Sequence, residues 1–139
     1  MARIMAFDLG GKRTGIAVTD PLQLIATGLT TIDSHTLIGF VKEYLKNEVV
    51  ERFVVGWPTN WDDSPTHGTV IAEKGIALLA KHFPQVPIVK VDERYTSKLA
   101  KDAMLEMGLK KKDRRDKKIV DEIAATILLQ DYLRSVQGT

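Results

Sequence analysis

The sequence predicts an α/β fold: a five-stranded mixed sheet, its first three strands antiparallel, with helices on both faces. Three observations carry this expectation. Three short apolar runs follow one another between residues 3 and 32, each bounded by turn-forming residues. The apolar spacing then changes from a strand period to a helical one, and from residue 37 onward helical and strand-like segments alternate. Finally, 139 residues with a 44% apolar fraction fit one globular domain spanning 1–139, large enough to bury a core.

The elements follow in order. Arg3 to Phe7 is the first strand and runs into Asp8-Leu9-Gly10-Gly11. Thr14 to Thr19 returns through Gly11-Lys12-Arg13 as the second arm of a hairpin. Leu24 to Ile32 is the third strand, announced by the turn signal Asp20-Pro21. Leu37, Phe40, Val41, Tyr44 and Leu45 then keep helical spacing, with Asp33 or Ser34 available as a cap. Arg52 to Val55 is a short buried strand closed by Gly56-Trp57-Pro58. A second helix is expected between Thr66 and Phe83, with Ile71, Gly75, Leu78 and Leu79 on one side. Val86 to Val91 is the fifth strand and leads into Asp92-Glu93-Arg94. A third helix, capped by Thr96 or Ser97 and ended by Gly108, and a last one over Ile119 to Leu133 complete the chain. A meander followed by crossovers makes the sheet mixed.

Composition narrows the chemistry. Without cysteine there is no disulfide, thiolate nucleophile or thiolate zinc site, and the expected setting is the reducing cytoplasm. No apolar run reaches membrane-spanning length, and the N-terminus lacks a secretory apolar region, so no membrane partner is expected. The net charge of +2 is unevenly spread. The stretch Lys110, Lys111, Lys112, Asp113, Arg114, Arg115, Asp116, Lys117, Lys118 holds seven basic and two acidic side chains, a local +5, which leaves about −3 for the rest. Such a basic loop, 110–118, on a mildly acidic body suits a polyanion such as nucleic acid; the plainer reading is a solvated loop.

Three carboxylates stand at telling places. Alternation along the strands sends Ile4, Ala6 and Asp8 to one face, and likewise Val89, Val91 and Glu93. Asp8 and Glu93 thus sit at the C-terminal ends of apolar strands, the edge where open α/β sheets bind ligands. Asp121 is expected in the first turn of the last helix, where the dipole favours negative charge, on one side with Ala124, Ala125 and Leu128. Each acid alone has a bland explanation, a turn residue or a helix-start charge, and spacing does not establish that the three converge. If they do, they can hold hard divalent cations. Two such cations activate a water and stabilise the attacking and leaving oxygens of a phosphodiester without help from histidine or cysteine.

At this point a resemblance is plain. Asp8 to Asp20 (DLGGKRTGIAVTD) resembles the opening signature of the YqgF family, Holliday-junction-resolvase-like pre-16S rRNA nucleases. Val54 to Asn60, Val91 to Ser97 and Val120 to Leu129 match further family blocks in order, so the likeness covers residues 3 to 134. It implies a ribonuclease H-like fold and a metal-dependent endonuclease with Mg²⁺ or Mn²⁺ as cofactor. Asp8, Glu93 and Asp121 would be the catalytic and metal-binding acids, with Asp92 a neighbouring candidate for the middle one. The implied task is processing the 5′ end of precursor 16S rRNA in ribosome biogenesis; resolution of Holliday junctions is the alternative. The partner is then structured RNA or branched DNA, and the protein a monomer or a homodimer. Trp57, and Trp61 to Ser64, depart from the family's usual aliphatic residue and Gly-rich loop.

Other residues support this reading more loosely. Lys12, Arg13 and Arg94 can contact phosphates, as can Lys110, Lys111, Lys112, Arg114, Arg115, Lys117 and Lys118; Arg94 can equally brace a carboxylate. Trp57 and Trp61 can stack on bases or simply pack. His35, His67 and His82 have no mutual ligand spacing and read as surface residues. Two other functions compete: a non-catalytic RNA-binding assembly factor, and a phosphotransferase, since Asp8-Leu9-Gly10-Gly11 followed by a hairpin also resembles the phosphate-gripping first hairpin of the actin and sugar-kinase superfamily. The latter normally needs two lobes, and this chain supplies one.

Overall fold

The computed structural model describes residues 2–57, 67–92 and 117–136. Strands β1 (Arg3–Leu9), β2 (Arg13–Thr19) and β3 (Ala26–Asp33) form the meander, followed by a 3₁₀ turn (Ser34–Thr36) and helix α1 (Leu37–Leu45). Then come β4 (Val50–Trp57), α2 (His67–His82), β5 (Ile88–Asp92) and α3 (Lys117–Val136). The five strands lie in the order β3-β2-β1-β4-β5, antiparallel across the meander and parallel from β1 through β4 to β5. The predicted helix between Thr96 and Gly108 and the basic stretch up to Asp116 lie outside the described residues.

Strand alternation sorts the apolar side chains into two layers. Met5, Phe7, Leu9, Ile16, Val18, Phe53 and Val55 face α1 and α2, meeting Leu37, Val41 and Leu79. Phe7, Phe53 and Phe83 stack edge to face through this layer. Ile4, Ala6, Ala17 and Val54 face the other way, onto Ala125, Leu128, Leu129 and Leu133 of α3. Helices therefore cover both faces, as expected. The α3 face is made of small residues at its centre, which brings that helix close to the sheet.

Three expectations need correcting. Leu24 and Ile25 are not strand residues. The Asp20 carboxylate accepts hydrogen bonds from the amides of Leu22, Leu24 and Ile25 and folds the segment into a turn, with Gln23 at φ 59° and the two apolar side chains exposed. The Ile25 amide, and after it that of Leu24, keeps this carboxyl below its ordinary pKa. No side chain caps α1: Ser34 Oγ is spent on the Gly10 carbonyl (2.5 Å) and on Thr14 Oγ1 (2.9 Å), tying the hairpin tip to the start of the helical layer. On α2 the buried side is Thr69, Ala72, Gly75 and Leu79, whereas Leu78 is exposed.

Candidate active site

The ladder fixes the first acid. Ile4 and Ala6 are buried against α3, and the next residue of that parity, Asp8, closes β1 on the same face, half-buried. Across the ladder Asp8 is paired with Gly15, and Gly15 with Thr31, so one row of the sheet reads Thr31–Gly15–Asp8. The row lies at the end where the parallel strands β1, β4 and β5 terminate.

Helix α3 brings the second acid to that row. Thr31 Oγ1 donates to the Lys118 carbonyl (2.6 Å) and anchors the first turn of α3 on β3. The backbone of Asp121 then passes directly over Gly15. A Cβ on residue 15 would overlap the Asp121 carbonyl, and would stand 3.1 Å from the Glu122 nitrogen. Gly28 on β3 leaves room in the same way for the Glu122 side chain, whose Oε1 would be 2.6 Å from an added Cβ. Side chains directly opposite in an antiparallel pair have their Cβ positions about 5 Å apart. Asp8 thus stands one strand away from the spot over which Asp121 is seated, on the same face.

Arg13 shares this face, two residues before Gly15. Its Nε donates to Asp121 Oδ2 at 3.1 Å, and the two side chains are 21% and 24% exposed. The guanidinium therefore braces an acid, a partner the sequence did not name for it. Ala124, Ala125 and Leu128 are buried beneath the helix, as their spacing predicted. One detail differs: α3 begins at Lys117, so Lys117 and Lys118 belong to the helix and Asp121 is not in its first turn. The macrodipole fades beyond that turn, and the arginine takes its place as the positive neighbour.

The middle acid divides by parity. Val89 and Val91 pack on the α3 face, while Ile88 packs on the opposite layer; Asp92 has the parity of Ile88 and is exposed. Asp92 thus closes β5 on the side away from Asp8. Glu93, Arg94, Trp61 and the basic residues Lys110, Lys111, Lys112, Arg114 and Arg115 lie outside the described residues. Among the described residues no group of three or more His, Asp or Glu side chains gathers. Lys12 is exposed at the hairpin tip and Lys118 on the helix start; the three histidines are exposed.

Trp57 ends β4 with Lys90 Nζ 4.0 Å above its ring, paired with Asp92 in the ladder and half-buried. A cleft of about 360 Å³ opens on the α1–α2 side, lined by Leu9, Thr14, Ser34, Ile71, Lys74 and Leu78. It lies across the sheet from the carboxylates and is separate from them. The residue that sequence reasoning passed over is Gly15. A lone glycine between Thr14 and Ile16 inside a strand signals a close backbone approach, and it is this approach that positions Asp121.

Comparison with known proteins agrees with this architecture. The family model described as "RuvX: Holliday junction resolvase" matches residues 2–135. A Christiangramia forsetii protein named "Putative pre-16S rRNA nuclease" is 53% identical over 133 residues, covering 96% of this chain and 98% of its own length. A protein of the same name from Bacteroides thetaiotaomicron is 52% identical over 135 residues, covering 97% and 98%. Among solved structures, Thermus thermophilus RuvC in complex with a Holliday junction substrate superposes with a TM-score of 0.59 at 17% identity, covering 100% of this chain and 98% of that one. At that identity the likeness speaks for the fold, which is thereby RuvC-like and of the ribonuclease H type. With nearly every residue matched, the chain belongs to the RuvX family of Holliday junction resolvases, the YqgF family that its motifs resemble.

Proposed function

We propose that this protein is a cytoplasmic, divalent-metal-dependent endonuclease that trims the 5′ end of precursor 16S rRNA, with Asp8, Glu93 and Asp121 as its catalytic, metal-binding acids. The observation that carries the reading is the seating of Asp121 over Gly15, the ladder partner of Asp8. Two acids from positions 113 residues apart in sequence are delivered to one sheet face by close packing of backbone, an arrangement that stability alone does not require. The family relatives named as pre-16S rRNA nucleases support the substrate class.

The donors present fit a hard cation: half-buried carboxylate oxygens, with no thiolate anywhere in the chain. Mg²⁺ or Mn²⁺ held there would activate a water and neutralise charge on the phosphodiester oxygens. The chain's own residues do the rest. The β1–β2 ladder fixes Asp8, Arg13 and Thr31 fix the start of α3, and the small residues beneath that helix keep the acids near one another. For the middle acid the parity of β5 favours Glu93 over Asp92. The basic stretch Lys110 to Lys118, with Lys12 and Arg94, would hold the nucleic-acid backbone.

A panel of substrates tests this reading. Mg²⁺- or Mn²⁺-dependent cutting of a precursor 16S rRNA fragment, faster than of a four-way DNA junction, is the expected result. A preference for the junction, with paired cuts by a homodimer, would replace it with resolution. Binding of the RNA without cleavage by either ion would leave an assembly factor. The basic stretch has its own readout. Replacing Lys111, Lys112, Arg114 and Arg115 together by alanine is expected to lower the slope of log affinity against log salt by up to about 4, one counterion per lost phosphate contact. Titrations between low and moderate salt measure it, and an unchanged slope returns the stretch to plain solvated surface. Family membership also weighs against the phosphotransferase alternative.

A further inference from the structure

Arg13 sits where a metal-binding acid would not ordinarily be given a permanent cation. Its Nε holds Asp121 Oδ2 at 3.1 Å across a sequence separation of 108 residues, in a setting where both side chains are about three-quarters shielded from water. It is carried by β2, two residues before the glycine under Asp121, so the contact is set by the sheet rather than by a wandering surface side chain. Guanidinium also binds phosphate oxygens in a fork, as readily as it binds carboxylate.

We propose that Arg13 is a gate on metal loading: its guanidinium occupies Asp121 in the free protein, opposes the entry of a divalent cation, and is drawn off when a substrate phosphate offers it another anion. The inference rests on the reading of Asp8 and Asp121 as metal-binding acids. The physical case is short. A divalent ion on Oδ2 must share that oxygen with the Nε hydrogen bond, and one on Oδ1 still meets a positive charge a few ångströms away, so either mode is weakened by Arg13. A phosphate bound nearby relieves that repulsion, and by linkage the metal then favours nucleic-acid binding to the same degree. Arg13 is a positioning residue in this scheme. It keeps the unliganded centre poorly metallated and couples loading to the presence of substrate.

Mn²⁺ binding to the whole protein without nucleic acid, followed by electron paramagnetic resonance, tests the gate. Arg13→Ala is expected to bind Mn²⁺ about 5-fold more tightly than wild type, the scale of one partly screened charge pair. Arg13→Lys, which retains the charge, is expected to stay near the wild-type affinity. Thermal melts of both variants report whether they fold; should Arg13→Ala fail to, Arg13→Gln takes its place with the same expectation. An affinity in the neutral variants equal to or weaker than wild type overturns the gate, because Arg13 then merely orients Asp121. A lysine variant as tight as the alanine one overturns it too. The underlying reading fails in a different way: Mn²⁺ bound identically by wild type and Asp8→Asn would remove the metal centre itself, and the gate with it.

Discussion

Asp8→Asn is expected to slow cleavage of a precursor rRNA fragment by about 10³-fold or more, equivalent to roughly 4 kcal/mol of barrier, in a protein that still folds. The substitution keeps shape and hydrogen-bonding capacity but removes the charge that would hold a divalent cation. Asp8 closes a strand whose inward neighbours Ile4 and Ala6 are buried apolar residues, so its carboxylate is partly withdrawn from water. A neutral amide of the same shape at this place is expected to leave the metal-free protein folded, with a change in melting temperature small beside the change in rate. Single-turnover cleavage with saturating Mg²⁺, beside a thermal melt, separates the two quantities. Wild-type cleavage by Asp8→Asn would take Asp8 out of the mechanism; a large fall in melting temperature would make it a structural residue.

Much of the fold was legible because its signals are local. Alternation in β1 and β2 and the helical period over residues 37–45 act within a few residues, and both elements form where the pattern says. So does the burial of Ala124, Ala125 and Leu128, which follows from periodicity alone. What the sequence hid was set by side-chain competition. Leu24 and Ile25 have the composition of a strand, but the Asp20 carboxylate captures their amides first. Ser34 has the chemistry of a helix cap, and is used instead on the hairpin tip. The candidate site divides in the same way. Asp8 could be read from strand parity and chain order, whereas its relation to Asp121 depends on a contact between β2 and α3, which no local pattern encodes. Arg13 appeared as one cation among many, since only the packed helix shows which anion it faces.

That tertiary contact makes Gly15→Ala the most damaging small substitution the structure offers. Adding one methyl in a strand would ordinarily stabilise it slightly, since glycine loses the most chain entropy on folding. Here the methyl would collide with the Asp121 carbonyl, a backbone atom that no rotamer change can move aside. Either α3 lifts off the sheet, loosening Ala125 and Leu128 from Ala6 and Ala17, or β2 bends away from β1. Overpacking of this kind costs about 1–3 kcal/mol, which for a chain of this length lowers the melting temperature by on the order of 10 °C at the upper end. Activity is expected to fall further than stability. A displacement of about 1 Å between acids that share a reaction centre can cost on the order of 10²-fold in rate even in molecules that remain folded. Gly39→Ala is the matched control: it lies in α1 with nothing within 4 Å of an added Cβ, and is expected to stabilise by about 0.5–1 kcal/mol through helix propensity, with cleavage unchanged. Thermal melts and cleavage rates of the two variants side by side decide the matter. If Gly15→Ala melts and cuts like wild type, α3 does not rest on β2 as described, and Asp121 is not held beside Asp8.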